Sequence, residues 1–286
     1  MKKIIKKILE IFRLLNLYYK IEDLVNPLKK KNRKNISNKI FIILHCPRSG
    51  GSYLKNIIKF YFGNLHENNN FDKVTIPNIY YKPIFIFGHQ VHNDFDEYFE
   101  DKIKRFILIR KPNERIISRY FYLKNYSYFK NINDLKENFI FNSNINLSDY
   151  IKIIKDSYND NFLTRMLIGK INKNNFELNY KKNENKFQEL NLDDFNQAIH
   201  NLKKYSIINV NKKDIRKFIN YELGLSDISG FEKKWKYVNY YNKSLKNEKI
   251  SKSDIDELNK INFYDNKIYN LRKHFRVKKN EHSRSP

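Results

Sequence analysis

Apolar residues in this chain gather into short unbroken runs separated by stretches of helical spacing. Ile40-Phe41-Ile42-Ile43-Leu44, Ile84-Phe85-Ile86-Phe87, Phe106-Ile107-Leu108-Ile109 and Tyr205-Ser206-Ile207-Ile208-Asn209-Val210 are four such runs, each an expected strand. None alternates with polar residues, so each is expected to be covered on both faces. Leu54, Ile57, Ile58 and Tyr61 mark a helix from Ser52 to Phe62. Ile116, Ile117, Tyr120 and Leu123 mark another, with Pro112 in its first turn. Residues 148–168 and 193–204, the segment leading to Leu223, and Ser253 to Phe275 also read as helices. The Asn- and Lys-rich stretches 64–73 and 172–189 read as loops. Strands separated by helices predict an α/β fold with three layers around a central parallel sheet.

Residues 1–37 stand apart from this pattern. Ile4, Ile5, Ile8, Phe12 and Leu15 recur at helical spacing among Lys3, Lys6, Lys7 and Arg13, an amphipathic basic helix. Lys29-Lys30-Lys31-Asn32-Arg33-Lys34 follows as an exposed linker, and the folded domain is expected over 38–286. Charges break every apolar run, which argues against a spanning helix and against a secretory signal. The helix fits two roles: docking on the domain, or peripheral contact of residues 1–20 with a membrane. A cytoplasmic protein is the expectation.

The 286 residues are 41% hydrophobic and 15% aromatic, enough for a sizeable core. A single Cys excludes an internal disulfide framework and a multi-cysteine zinc site. The formal charge is +25, yet Asn, Lys, Ile, Tyr and Phe are all heavily used and Ala occurs only at Ala198. That bias is the mark of AT-rich coding, which places Lys wherever a cation is tolerated. The charge therefore argues little for nucleic acid, and no specific nucleic-acid partner is expected. An anionic ligand still fits, because a basic field concentrates anions. Against this bias the scarce residues are informative. Two of seven glycines adjoin at Gly50 and Gly51, and Arg105, Arg110, Arg115 and Arg119 crowd one segment.

The first candidate site is the loop Cys46-Pro47-Arg48-Ser49-Gly50-Gly51-Ser52, between a strand and a helix. A Gly-rich turn there exposes N–H groups at the positive end of a helix, a phosphate-binding arrangement. Arg48 adds a cation; Ser49 and Ser52 add hydroxyl donors. A triphosphatase loop would need G-x-x-x-x-G-K-[ST], and the Lys-Ser/Thr pair is absent. A cysteine phosphatase needs Arg six residues after its Cys, where this chain has Ser52, so Cys46 reads as a packed thiol. The second site is Arg110-Lys111-Pro112-Asn113-Glu114-Arg115-Ile116-Ile117-Ser118, at a strand end entering a helix. Arg110 can fork onto a phosphate and Ser118 can donate from the helix face. The same residues also fit a solvated basic helix with Arg115 and Arg119 as an i,i+4 pair. His89 is the third site, directly after a strand end and Gly88. A neutral imidazole there can accept a hydroxyl proton.

Together these segments resemble the sulfotransferase family. The first loop is similar to its P-R/K-S/T-G-T/S-S/T-x signature, and Arg110 to Ser118 matches its R-x₇-S motif. Gly88-His89-Gln90-Val91-His92 and Glu114-Arg115-Ile116-Ile117-Ser118-Arg119-Tyr120-Phe121-Tyr122 resemble the Golgi-type carbohydrate sulfotransferases, the uronyl and heparan sulfate 2-O group above all. Asp160-Asn161-Phe162-Leu163-Thr164-Arg165-Met166-Leu167 and Asn239 to Ser244 resemble two later blocks of that group. Lys111 departs from the family's usual Asp and Phe87 from a second His.

The resemblance implies a P-loop-like nucleotide cradle and a donor, 3′-phosphoadenosine 5′-phosphosulfate. It places Arg48, Ser49, Gly50, Gly51, Ser52 and Tyr53 at the 5′-phosphate and Arg110 and Ser118 at the 3′-phosphate. Lys243 and Ser244 would lie near the cofactor. It makes His89 the general base, with His92 and Glu97 in reserve, and Arg48 the stabiliser of the leaving phosphate. A hydroxyl acceptor, a glycan, is implied, and no metal is required. Two other classes stay open: a nucleotide or small-molecule kinase, and a basic module binding nucleic acid or acidic membrane.

Overall fold

The structure, a computed structural model, describes residues 39–63, 66–68, 83–89, 102–129, 145–156, 160–171, 189–234 and 250–272. The N-terminal segment 1–37, His92, Glu97, Lys243 and Ser244 lie outside the described residues.

Five strands form one sheet: β1 (Ile40–His45), β2 (His66–Asn68), β3 (Ile84–Gly88), β4 (Ile103–Ile109) and β5 (Ser206–Asn209). Their order across the sheet is β2-β3-β1-β4-β5, and every pairing is parallel. The helices are α1 (Gly51–Phe62), α2 (Pro112–Phe129), α3 (Leu147–Asp156), α4 (Phe162–Leu167), α5 (Leu192–Leu202), α6 (Lys212–Tyr221), α7 (Ser229–Lys234), α8 (Lys252–Ile261) and α9 (Phe263–Leu271).

Strand side chains alternate between the two faces of the sheet. Phe41, Ile43, Phe85, Phe87, Phe106 and Leu108 pack on one side against Leu54, Ile57 and Ile58 of α1 and Ile215, Phe218 and Ile219 of α6. Leu44, Ile107 and Ile109 pack on the other against Phe162 and Met166 of α4, Ala198 and Leu202 of α5, and Ile268 of α9. These are helices on both faces of a parallel sheet, the expected three layers. Each fully buried Phe, Ile or Leu contributes about 1.5–3 kcal/mol relative to leaving it exposed. A further cluster joins Ile116 and Tyr120 of α2 to Tyr150, Ile151 and Ile154 of α3 and Leu258 and Ile261 of α8, and so anchors α2.

Several expectations need correction. The stretch 64–73 contains β2, an edge strand beside β3. Residues 148–168 are two helices, α3 and α4, with Asn161 left-handed (φ 43°) immediately before α4. The described part of Ser253 to Phe275 is likewise two helices, meeting at Asn262, whose side chain donates to the Leu258 carbonyl at 2.9 Å and ends α8. Helix α7 lies in a stretch where no element was expected. Polar caps explain other starts: Asn191 with Asp194 and Ser251 with Asp254 form reciprocal capping boxes on α5 and α8. Among the described residues, no helix is long and apolar enough to cross a membrane.

Candidate functional site

Strand β1 lies between β3 and β4 and parallel to both. The three strands therefore end at one edge, where open α/β sheets carry their ligands. The loop after His45, the Gly88-His89 end of β3 and Arg110 after β4 all meet there.

The loop turns tightly, with the Ser49 N–H donating to the Cys46 carbonyl at 3.1 Å. Its two glycines serve different needs. Gly50 is left-handed (φ 70°), a conformation costly for other residues, and an added Cβ would sit 3.0 Å from Val210 Cγ1. At Gly51 an added Cβ would fall 2.2 Å from Cδ2 of His45, so only glycine lets that ring lie under the helix start. The amides of Gly51, Ser52 and Tyr53 occupy the first turn of α1, where a helix supplies no acceptor of its own. The Ser49 hydroxyl is 1% exposed and has no hydrogen-bond partner among the described residues. An orphaned buried donor beside a helix N-terminus fits an anion.

Arg48 is also left-handed (φ 67°), which costs a non-glycine residue roughly 1–2 kcal/mol. Contacts at its side chain and at its backbone hold it. Its guanidinium lies over the Tyr122 ring of α2, 4.3 Å from the centroid, and its carbonyl accepts from Arg110 Nη1 at 3.1 Å. A hydrogen bond from a charged donor is worth about 1.5–3 kcal/mol, enough to offset the strain. Arg110 Nε lies 3.7 Å from Glu114 Oε2, which orients the guanidinium. Ser118 is buried on α2 one turn before Tyr122, so it faces the same side as the Arg48 contact. Both predicted motifs thus form one constellation, tied together through Arg110.

His89 is 5% exposed, and its Nδ1 lies 2.5 Å from the His45 carbonyl oxygen. Burial pushes its pKa down to about 4 against the raising effect of that hydrogen bond; Arg119 and Lys55 push it down further. An unperturbed imidazole titrates near 6.5, so this ring stays neutral to lower pH.

Other predicted residues fall elsewhere. The Tyr53 ring packs edge-on against Phe231 and its hydroxyl donates to Glu232 at 3.2 Å, so the side chain fastens α1 to α7. Its backbone N–H stays at the loop, in the first turn of α1. Ser52 is exposed and its carbonyl accepts from Asn56. Cys46 is buried, and burial raises its thiol to about 12, the packed thiol expected. The solvated-face reading of α2 is overturned: Arg115 and Arg119 are both buried, and Arg115 lies over the Phe162 ring at 5.2 Å.

His45 also belongs to this edge, although no sequence motif includes it. Its half-buried ring lies tilted against His89 with centroids 4.2 Å apart, and its Nδ1 lies 3.2 Å from the Gly88 carbonyl oxygen. Its place at a strand end, next to the Gly-rich loop, was the available signal. Among the described residues no three His, Cys, Asp or Glu side chains gather as metal ligands. No family model, no curated protein and no solved structure matches the chain, so what the site does has to follow from its own side chains.

Proposed function

We propose that this chain is a sulfotransferase that moves a sulfuryl group from 3′-phosphoadenosine 5′-phosphosulfate to a hydroxyl, with a carbohydrate as the acceptor class. The observation that carries the reading is the bond from Arg110 to the Arg48 carbonyl, with His89 on the same edge of the sheet. It joins two anion-binding elements about an imidazole, which a donor carrying phosphates at two positions requires and a lone phosphate loop does not.

In this reading Arg48, Ser49 and the amides from Gly50 to Tyr53 form a P-loop-like cradle for the 5′-phosphate. Arg110 and Ser118 hold the 3′-phosphate. Lys243 and Ser244 belong to the reading through the family resemblance alone. Nδ1 of His89 faces a carbonyl, which only accepts, so Nδ1 bears the proton and Nε2 is the accepting nitrogen. Nε2 takes the acceptor's hydroxyl proton as that oxygen bonds to sulfur. The bond from sulfur to the phosphate oxygen breaks, and its electron pair leaves on the 5′-phosphate, where Arg48 and the loop amides stabilise the charge. Low basicity keeps His89 neutral before the donor binds. A bound anion beside it favours imidazolium and moves the pKa back toward the working range.

Calorimetry with 3′-phosphoadenosine 5′-phosphate tests the reading. Binding without metal at about micromolar Kd, about −8 kcal/mol, is expected. A preference for ATP with magnesium would move the protein to the kinases. Retention by nucleic acid with steep salt dependence, and no preference for the bisphosphate, would make it a binding module.

A further inference from the structure

His45 has no part in the reaction just described, yet its ring is held from several sides at the edge of the sheet. Its Nδ1 donates to the Gly88 carbonyl, and His89 Nδ1 donates to the His45 carbonyl. Each histidine thus bonds the backbone of the other's strand, and the two rings lie in tilted contact, 4.2 Å between centroids and 36° between their planes. Phe87 flanks the His45 ring at 4.5 Å, and Gly51 gives up the space that a Cβ would fill.

We propose that His45 is a positioning residue for His89: the reciprocal pair across β1 and β3 fixes the His89 ring as its Nδ1–H tautomer with Nε2 as acceptor. The proposal deepens the sulfotransferase reading and rests on His89 being its base. The geometry gives His45 two effects. Its bond to Gly88 pins the peptide leading into His89, so the His89 ring is aimed from a fixed backbone. Its own ring also covers one face of that imidazole and resists the flip that would put Nε2 on the carbonyl and leave Nδ1 to the substrate.

The charges around the pair act in the same direction. His89 is faced by His45 from β1, Lys55 from α1 and Arg119 from α2, and His45 by His89 and Lys55. All are cationic or become so on protonation. A proton on either ring therefore disfavours one on the other, and the pair stays neutral until acid pH.

The test compares full-length wild type, His45→Asn and His45→Leu. Asn keeps an N–H donor near the Nδ1 position, whereas Leu keeps bulk without a donor. Nitrogen-15 NMR of the labelled imidazoles reads the His89 tautomer directly. Turnover is measured with 3′-phosphoadenosine 5′-phosphosulfate and a desulfated uronic-acid oligosaccharide.

The Nδ1–H tautomer is expected in wild type and His45→Asn, and a mixture of tautomers in His45→Leu. The kcat of His45→Leu should fall roughly tenfold or more, part of the 10²–10⁴ that a general base supplies. Its affinity for 3′-phosphoadenosine 5′-phosphate should stay within about twofold, and His45→Asn should recover most of the rate. A wild-type His89 found as the Nε2–H tautomer overturns the proposal whatever the variants do, including a Leu variant that fails to fold. An unchanged tautomer in folded His45→Leu overturns it as well. An inactive wild type whose His89 tautomer still follows the His45 substitutions supports the pairing and overturns the sulfotransferase reading instead.

Discussion

Asn161 and Asp265 cap each other's helices. Asn161 Oδ1 accepts from the N–H groups of Tyr264 (2.8 Å) and Asp265 (3.2 Å) at the start of α9. The Asp265 carboxylate accepts from the N–H groups of Leu163 (2.9 Å) and Thr164 (2.8 Å) and from the Thr164 hydroxyl (2.7 Å) at the start of α4. Arg165 completes the arrangement through a 2.9 Å ion pair with Asp160. The block Asp160 to Leu167, similar to a family motif, is in this protein a clamp that fastens α4 and α9 to the sheet face behind the loop from Cys46 to Ser52.

Asp265→Ala should therefore destabilise strongly. It strands three buried donors, each costing about 1–3 kcal/mol, so a loss of about 3 kcal/mol or more is expected in urea unfolding. Asp265→Asn retains one acceptor oxygen and should lose less. At temperatures where both variants remain folded, bisphosphate affinity should match wild type, because Asp265 serves the clamp. A denaturation midpoint equal to wild type in Asp265→Ala would show the cap to be idle.

Much of this architecture was legible because fully buried parallel strands need unbroken apolar runs, and the runs at 40–44, 84–87 and 106–109 became β1, β3 and most of β4. Strand β2 was not, because His66-Glu67-Asn68 carries no apolar residue and exists only as backbone pairing along β3. The breaks at Asn161 and Asn262 were hidden for a related reason. No Gly or Pro marks them; they arise where an Asn side chain takes up backbone groups, from a helix distant in sequence for Asn161 and from its own helix end for Asn262. At the site, glycine and arginine stood out against a Lys- and Asn-rich background, so Gly50, Gly51, Arg48 and Arg110 could be read. For His45 only its place at a strand end was a signal; its partner could not be read, since that depends on which strands are neighbours, and strand order is written in no local pattern.

Gly51→Ala should disturb His45 more than it disturbs α1. Alanine favours a helix over glycine by about 1 kcal/mol, but the new methyl would overlap the His45 ring at 2.2 Å. Overpacking of this kind costs about 1–3 kcal/mol, so a net loss is expected in urea unfolding. The cost should shrink to near zero or reverse in a His45→Ala background, where the space is open. Two additive substitutions would show that the ring and the helix start are not coupled.

Stability should fall as pH drops from 6.5 toward 4. In the unfolded chain His89 titrates near 6.5, while in the folded chain its pKa is depressed to about 4. Between those values the unfolded state binds more protons, so the contribution present above pH 6.5 is lost progressively on acidification. Its full size is about 3 kcal/mol, and His45, depressed chiefly by burial, adds in the same direction. Urea unfolding at a series of pH values checks the slope, and His89→Asn should flatten it. A wild-type slope that survives this substitution unchanged would assign the effect to other groups.

Arg110 links the Arg48 loop to the start of α2. Arg110→Ala removes a guanidinium expected to meet the 3′-phosphate, and it also releases the Arg48 carbonyl, which the same side chain holds at 3.1 Å. The loop then keeps a left-handed Arg48 with one support fewer, so the 5′-phosphate cradle should loosen as well. Adenosine 5′-phosphate, which lacks the 3′ group, should lose about 1 kcal/mol through the loop alone. 3′-Phosphoadenosine 5′-phosphate should lose that and a further 2–3 kcal/mol or so for the missing charge-assisted contact. The difference between the two ligands is the reading of the 3′-phosphate, and the shared loss is the reading of the bridge. Calorimetry on both ligands separates them. Equal losses would mean that Arg110 supports the loop without touching the 3′-phosphate; a loss confined to the bisphosphate would mean that Arg48 holds its conformation without help.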